Sequence, residues 1–167
     1  MNFCVFTSNR NSSLSILKYI FDSGNYISLC VFEEAEDTEL KQFCKNNSIK
    51  YVCYNEIEKM IVTGNMPKID FAFSFLYHKI LKSNVIDFFD SKIINFHPSL
   101  VQIHKGVASF CYCILNDFES WGVTAHYLVE GVDEGDIILQ REFKVPRNCY
   151  SIELERIQQD NLILLFK

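Results

Sequence analysis

Glycine and proline are scarce in this chain, with six and three among 167 residues, so flexible linkers, Pro-rich tracts and collagen-like repeats are excluded. No apolar run approaches the roughly 18 uninterrupted residues of a membrane helix. The opening Met-Asn-Phe-Cys-Val-Phe lacks the charged-then-apolar layout of a signal peptide. A positive balance is missing too: 16 Lys and Arg against 21 Asp and Glu leave a net charge of −5, which opposes the counterion release behind nucleic-acid affinity. Neither a nucleic acid nor a membrane is an expected partner, and a cytoplasmic location is. The seven cysteines are odd in number and scattered, which fits reduced thiols rather than a disulfide framework. Cys111-x-Cys113 is not a zinc-knuckle gap, so no metal is expected. There is also no Gly-rich Lys-Ser/Thr loop to cradle a triphosphate.

The chain is half apolar, at 49%, with 22% charged residues. That is enough to build a core, and the length suits a single domain over 1–167. Short apolar runs alternate with helical periodicity. Strands are expected over 2–8, 26–32, 51–54 and 69–75, with helices carrying Leu14 to Phe21, Leu40 to Cys44 and Ile57 to Ile61 between them; the acidic stretch 33–39 leads into the second helix. Continuously apolar strands alternating with helices mark a parallel sheet covered on both faces. The expected fold is therefore α/β, a Rossmann-like open twisted sheet, mostly parallel. Further along, a helix over 85–89, a strand over 92–96, a helix over 106–116, strands over 122–129 and 137–145 and a helix over 152–166 are expected.

Four of the six glycines, Gly106, Gly122, Gly131 and Gly135, fall within thirty positions. Glycine permits backbone shapes and close approaches closed to other residues, so the special geometry lies there. Just before them, Ile93-Ile94-Asn95-Phe96-His97-Pro98-Ser99 ends a strand at a proline. Residues two apart on a strand share a side, which puts Asn95 and His97 together, expected to point out of the strand end rather than into the core. An amide donor beside an imidazole can hold a developing oxyanion and shuttle a proton. Asp133, in a loop with two glycines, is the carboxylate able to orient that imidazole.

The combined pattern, Asn95-Phe96-His97-Pro98-Ser99-Leu100, Gly106, Gly122-Val123-Thr124-Ala125-His126 and Val132-Asp133-Glu134-Gly135-Asp136, resembles the formyltransferase family that uses 10-formyltetrahydrofolate. The resemblance implies the formyltransferase fold, with no C-terminal accessory domain in this chain. It also implies a catalytic triad of Asn95, His97 and Asp133, with tetrahydrofolate as product. It lays the pterin against Tyr77, His78, Lys79, Ile80 and Leu81, closed by a loop with Val129, Glu130, Gly131, Val132, Gly135 and Asp136. Asn9, Arg10, Ser12 and Ser13 match a loop that holds a substrate phosphate, without its glycines, so a plain helix cap is the competing reading there. Ser99, Lys105 and Gly106 complete the expected substrate contacts.

One departure stands out. Family members usually carry Leu-Pro before the basic-Gly element, where this chain has Val101-Gln102-Ile103-His104-Lys105-Gly106, so a looser loop is expected. The expected acceptor is the primary amine of a nucleotide-linked amino sugar. Alternatives are glycinamide ribonucleotide, as in purine synthesis, or a non-catalytic module binding folate or a nucleotide. The expected partners are small molecules, with a homodimer as one assembly. His126, on a strand beside the glycine cluster, is read as a residue that positions a site group.

Overall fold

The computed structural model describes residues 1–33, 38–90 and 92–167, which divide into two compact units, Met1–Ile94 and Asn95–Lys167. The fold is α/β with an open, mostly parallel sheet, as the apolar strands predict. Most of the acidic stretch 33–39 lies outside the described residues. Among the described residues no helix is long and apolar enough to cross a membrane.

In the first unit the order is β1 (Asn2–Thr7), α1 (Asn11–Asp22), β2 (Tyr26–Val31), α2 (Glu39–Asn46), β3 (Tyr51–Val52), α3 (Tyr54–Val62), β4 (Phe71–Phe75) and α4 (Ser83–Phe88). β1 pairs in parallel with β2 and β4, and β2 with β3. Cys4, Val5 and Phe6 are fully buried in consecutive positions, because a central parallel strand is covered on both faces. Leu14, Leu17 and Ile20 of α1 are also buried, at the spacing that lines one side of a helix. Tyr54, expected in a strand, instead opens α3. The Glu56 carboxylate accepts the Cys53 N–H at 2.9 Å, which satisfies a donor at the helix start and moves the boundary forward.

β5 (Ile93–His97) carries the chain from the first unit into the second, where α5 (Ser109–Leu115), β6 (Ser120–Tyr127), β7 (Ile137–Lys144) and α6 (Ser151–Phe166) follow. α5 begins three residues later than its apolar spacing predicts because Gly106 and Ala108 have φ of +80° and +60°, a left-handed backbone that no α-helix contains. β6 and β7 form an antiparallel pair. Trp121, Cys113 and Leu154 form a fully buried cluster that gathers Phe110, Phe118 and Phe143 around it. α6 turns Leu154, Gln158 and Leu162 inward, one per turn.

Candidate active site

The strand exit that carries Asn95 and His97 is held from behind. The Pro98 carbonyl accepts the Ser109 hydroxyl at 2.8 Å and the Trp121 indole N–H at 3.3 Å, and Ser109 in turn accepts from Gln158 at 3.1 Å. His97 is 5% exposed and Asn95 is half-buried, so the strand exit is shielded from solvent.

Asp133 reaches both residues. Its Oδ2 lies 3.3 Å from His97 Nδ1 and accepts the Gly106 N–H at 2.7 Å. Its Oδ1 lies 3.4 Å from Asn95 Nδ2 and 3.5 Å from His126 Nε2. The Asp133 backbone is left-handed, with φ of +51°, which Asp and Asn tolerate better than other side-chain-bearing residues. His126 Nδ1 faces the Tyr127 carbonyl at 2.8 Å and its Nε2 faces Asn95 Nδ2 at 3.0 Å. Nδ1 donates to the Tyr127 carbonyl, and Nε2 sits between the Asn95 amide and the Asp133 carboxylate, accepting from the first when bare and donating to the second when it carries a proton. One Asn95 N–H is committed to His126. Among the described residues the other has only the long contact to Asp133 and can donate to a developing oxyanion.

Burial pushes the His97 imidazole below its ordinary value. The Asp133 carboxylate opposes this, and the nearby His126 adds to it. The His104 carbonyl favours the protonated ring, but through its field rather than a well-formed bond, since His97 Nε2 is buried without a hydrogen-bond partner among the described residues. With Nδ1–H turned to Asp133, the neutral ring keeps an Nε2 lone pair able to take a proton. Burial also pushes the Asp133 carboxyl upward, but His126, His97 and the Gly106 N–H together outweigh it and hold the group below its ordinary value. At neutral pH the pair is a neutral imidazole and a carboxylate.

These directions fix a pH dependence. Both groups have depressed values in the folded protein, so the unfolded chain binds the extra protons as pH falls. The His97 contribution is complete above its ordinary value of 6.5 and is lost as pH drops through the depressed one; the Asp133 contribution follows below 3.8. Urea unfolding at a series of pH values should show stability declining below 6.5, and His97→Gln, neutral throughout, should lack the His97 share of that decline.

The Val101–Gly106 loop is not loose. Ile103 and His104 N–H groups both donate to the Leu100 carbonyl, at 2.8 and 3.0 Å. Ser99 Oγ donates to the His104 carbonyl, and the His104 ring lies against Tyr112 with centroids 4.7 Å apart. Lys105 pairs with Glu134 at 3.2 Å. Ser99, Lys105 and Gly106 are thus gathered with Asp133 in the second unit, together with the loop from Val129 to Asp136. Tyr77 to Leu81 belongs to the first unit, where Lys79 pairs with Glu33 at 2.8 Å and the Tyr77 ring meets Phe6 at 5.7 Å. Asn9 to Ser13 is in the first unit too. Arg10 is the N-cap of α1 without a side-chain capping bond, and Ser13 Oγ is buried without a hydrogen-bond partner among the described residues. The plain capping reading of that turn is not what forms. Sequence reasoning missed Ser109, Trp121 and Gln158 as supports of the strand exit. Thr124 and His126 were accessible through their own period-two spacing.

A single unit brings an amide, an imidazole and a carboxylate together at a β-strand exit, the groups needed to hold an oxyanion and take up a proton. Residues 32–161 match the formyl transferase family model, and the chain belongs to that family. It is 24% identical over 172 residues to methionyl-tRNA formyltransferase of Borrelia hermsii, covering 95% of this chain and 55% of that protein. It spans about half the length of the curated relatives matched over nearly the whole chain. Among solved structures, glycinamide ribonucleotide transformylase 1 from Symbiobacterium toebii aligns with a TM-score of 0.85 at 18% identity, over 99% of this chain and 84% of that one. The N-formyltransferase from Helicobacter canadensis, solved with folinic acid and dTDP-3-aminofucose, aligns with a TM-score of 0.78 at 24% identity, over 98% and 60%.

Proposed function

We propose that the protein transfers a formyl group from 10-formyltetrahydrofolate to the primary amine of a nucleotide-linked amino sugar. The observation that carries the transfer reading is the contact of Asp133 with both His97 and Asn95, at 3.3 and 3.4 Å, and the likeness to the N-formyltransferase solved with dTDP-3-aminofucose supports the acceptor. The acceptor amine attacks the formyl carbon, the carbonyl π bond opens to an oxyanion, and the uncommitted Asn95 N–H donates to that oxygen. His97 Nε2 takes the proton the amine nitrogen loses, with Asp133 holding the imidazolium that results. The oxyanion then re-forms its carbonyl as the bond from carbon to the folate nitrogen breaks, and the proton passes to that nitrogen. Val129, Glu130, Gly131, Val132, Gly135 and Asp136 are the proposed folate loop, and Tyr77 to Leu81 is assigned to the pterin by the resemblance. Asn9, Arg10, Ser12 and Ser13 are proposed for the acceptor's phosphate, with the buried Ser13 hydroxyl and the start of α1 in support.

The net charge of −5 favours a small acceptor over tRNA, and the free thiols of all seven cysteines suit a cytosolic enzyme. Glycinamide ribonucleotide is the second reading, favoured by the high structural similarity to that transformylase. Incubating the protein with 10-formyltetrahydrofolate and each acceptor in turn, while following tetrahydrofolate release and the formylated product by mass, separates them. Turnover with an aminodeoxy nucleotide sugar is expected. Folate binding without turnover on any amine would leave a binding module, and transfer dependent on ATP and free formate would contradict the donor.

A further inference from the structure

Away from the reacting groups, two glutamine side chains face each other as a reciprocal amide pair. Gln102 Nε2 donates to Gln140 Oε1 at 2.9 Å, and Gln140 Nε2 donates to Gln102 Oε1 at 2.7 Å. The second N–H of Gln140 goes to Thr124 Oγ1 at 2.9 Å, and the Thr124 hydroxyl is committed to the Ser99 carbonyl at 2.7 Å. Thr124 can therefore only accept from Gln140, which fixes the amide orientation of Gln140 and hence of Gln102.

The pair joins two parts of the site. Gln140 lies on β7, opposite Thr124 in the strand register, and through Thr124 it reaches the backbone two residues past His97. Gln102 lies in the Val101–Gly106 loop, whose far end supplies the Gly106 N–H to Asp133 at 2.7 Å. Gly106 is left-handed, with φ of +80°, so its N–H direction depends on the whole loop being held in one conformation.

We propose that Gln102 and Gln140 are positioning residues that clamp the Val101–Gly106 loop, so that the Gly106 N–H stays on Asp133 and keeps its carboxylate aimed at His97. The inference deepens the formyl-transfer reading and rests on it for its effect on rate. The groups facing the carboxylate besides Gly106 are His97, His126 and Asn95, with the Lys105 and Glu134 pair on the same two loops. The two glutamines bond each other and Thr124 rather than any of these groups among the described residues, so a change at residue 102 acts on Asp133 through the loop.

Gln102 is exposed, so Gln102→Leu removes the pairing without opening a core cavity. The decisive readout is the Asp133 carboxyl titration, followed by carbon NMR in the intact protein and independent of turnover. In Gln102→Leu the midpoint should move upward as the Gly106 N–H drifts away. Gln102→Glu, which still accepts from Gln140 Nε2, should recover part of the shift. The rate constant at saturating folate should fall by about tenfold in the Leu variant with KM for folate nearly constant, within the ~10²-fold that a 1 Å misplacement can cost. An unchanged Asp133 midpoint in both Gln102→Leu and Gln140→Leu overturns the proposal, as does a shifted midpoint with an unchanged rate constant. A shifted midpoint in a protein that formylates no amine supports the clamp and overturns the formyl-transfer reading instead.

Discussion

Asp133→Asn should lower the rate constant by about 10²–10⁴, the range that acid–base support contributes, while folate binding changes little. The substitution isolates chemistry from folding because Asn accepts the left-handed backbone at φ +51° that residue 133 adopts. What changes is charge and donor count. The Asn carbonyl can still accept the Gly106 N–H and the His97 Nδ1–H, but its NH₂ then faces the Asn95 NH₂ and competes for His126 Nε2. The imidazolium that forms after proton capture loses its counter-charge, and the oxyanion donor loses its fixed orientation. Steady-state kinetics across pH, with folate affinity measured separately, checks this; the limb belonging to the His97 and Asp133 pair should flatten. Near-full turnover with an unchanged profile would reduce Asp133 to a loop-capping residue.

The second large effect is expected at Gly135. Its φ is not in the left-handed region, so the requirement is one of space: a Cβ there would overlap the Tyr127 carbonyl oxygen. That carbonyl also accepts from His126 Nδ1 at 2.8 Å. Gly135→Ala must therefore displace backbone, costing about 1–3 kcal/mol or more, and must disturb the bond that fixes the His126 tautomer and, through it, Asn95. Denaturant unfolding should show the loss, and any folded fraction should turn over poorly. Gly131→Ala is the control, because its Cβ would meet side-chain atoms of Glu134, most tightly the movable carboxyl end and less so the Cβ at 3.1 Å, rather than backbone, and should cost less. Equal losses in the two variants would remove Tyr127 from the explanation.

The contrast between these glycines shows what the sequence discloses. Their clustering marked the region, and period-two spacing at Asn95 and His97 correctly placed both side chains at one strand exit. Asp133 was found because a carboxylate in a glycine-bearing loop can travel. What stayed hidden depends on partners far apart in the chain. Gln102 and Gln140 are 38 residues apart, and nothing in either glutamine's neighbourhood announces the other. The support of the neighbouring Pro98 carbonyl is hidden for the same reason, since Ser109 and Trp121, which donate to it, carry no local signal of that aim. The start of α3 was misread because Tyr51 to Tyr54 has strand composition, and only the reach of Glu56 back to Cys53 decides otherwise.

The line of donors from Gln158 to Ser109 to the Pro98 carbonyl joins α6 to the residue next to His97. Gln158 is 1% exposed, so this link is sealed from solvent and breaks only when α6 lifts. On the formyl-transfer reading, turnover should therefore report how firmly α6 is seated. Amide hydrogen exchange along α6 and catalytic rate should rise and fall in opposite senses under mild denaturant, with the helix loosening before the rest of the second unit gives way.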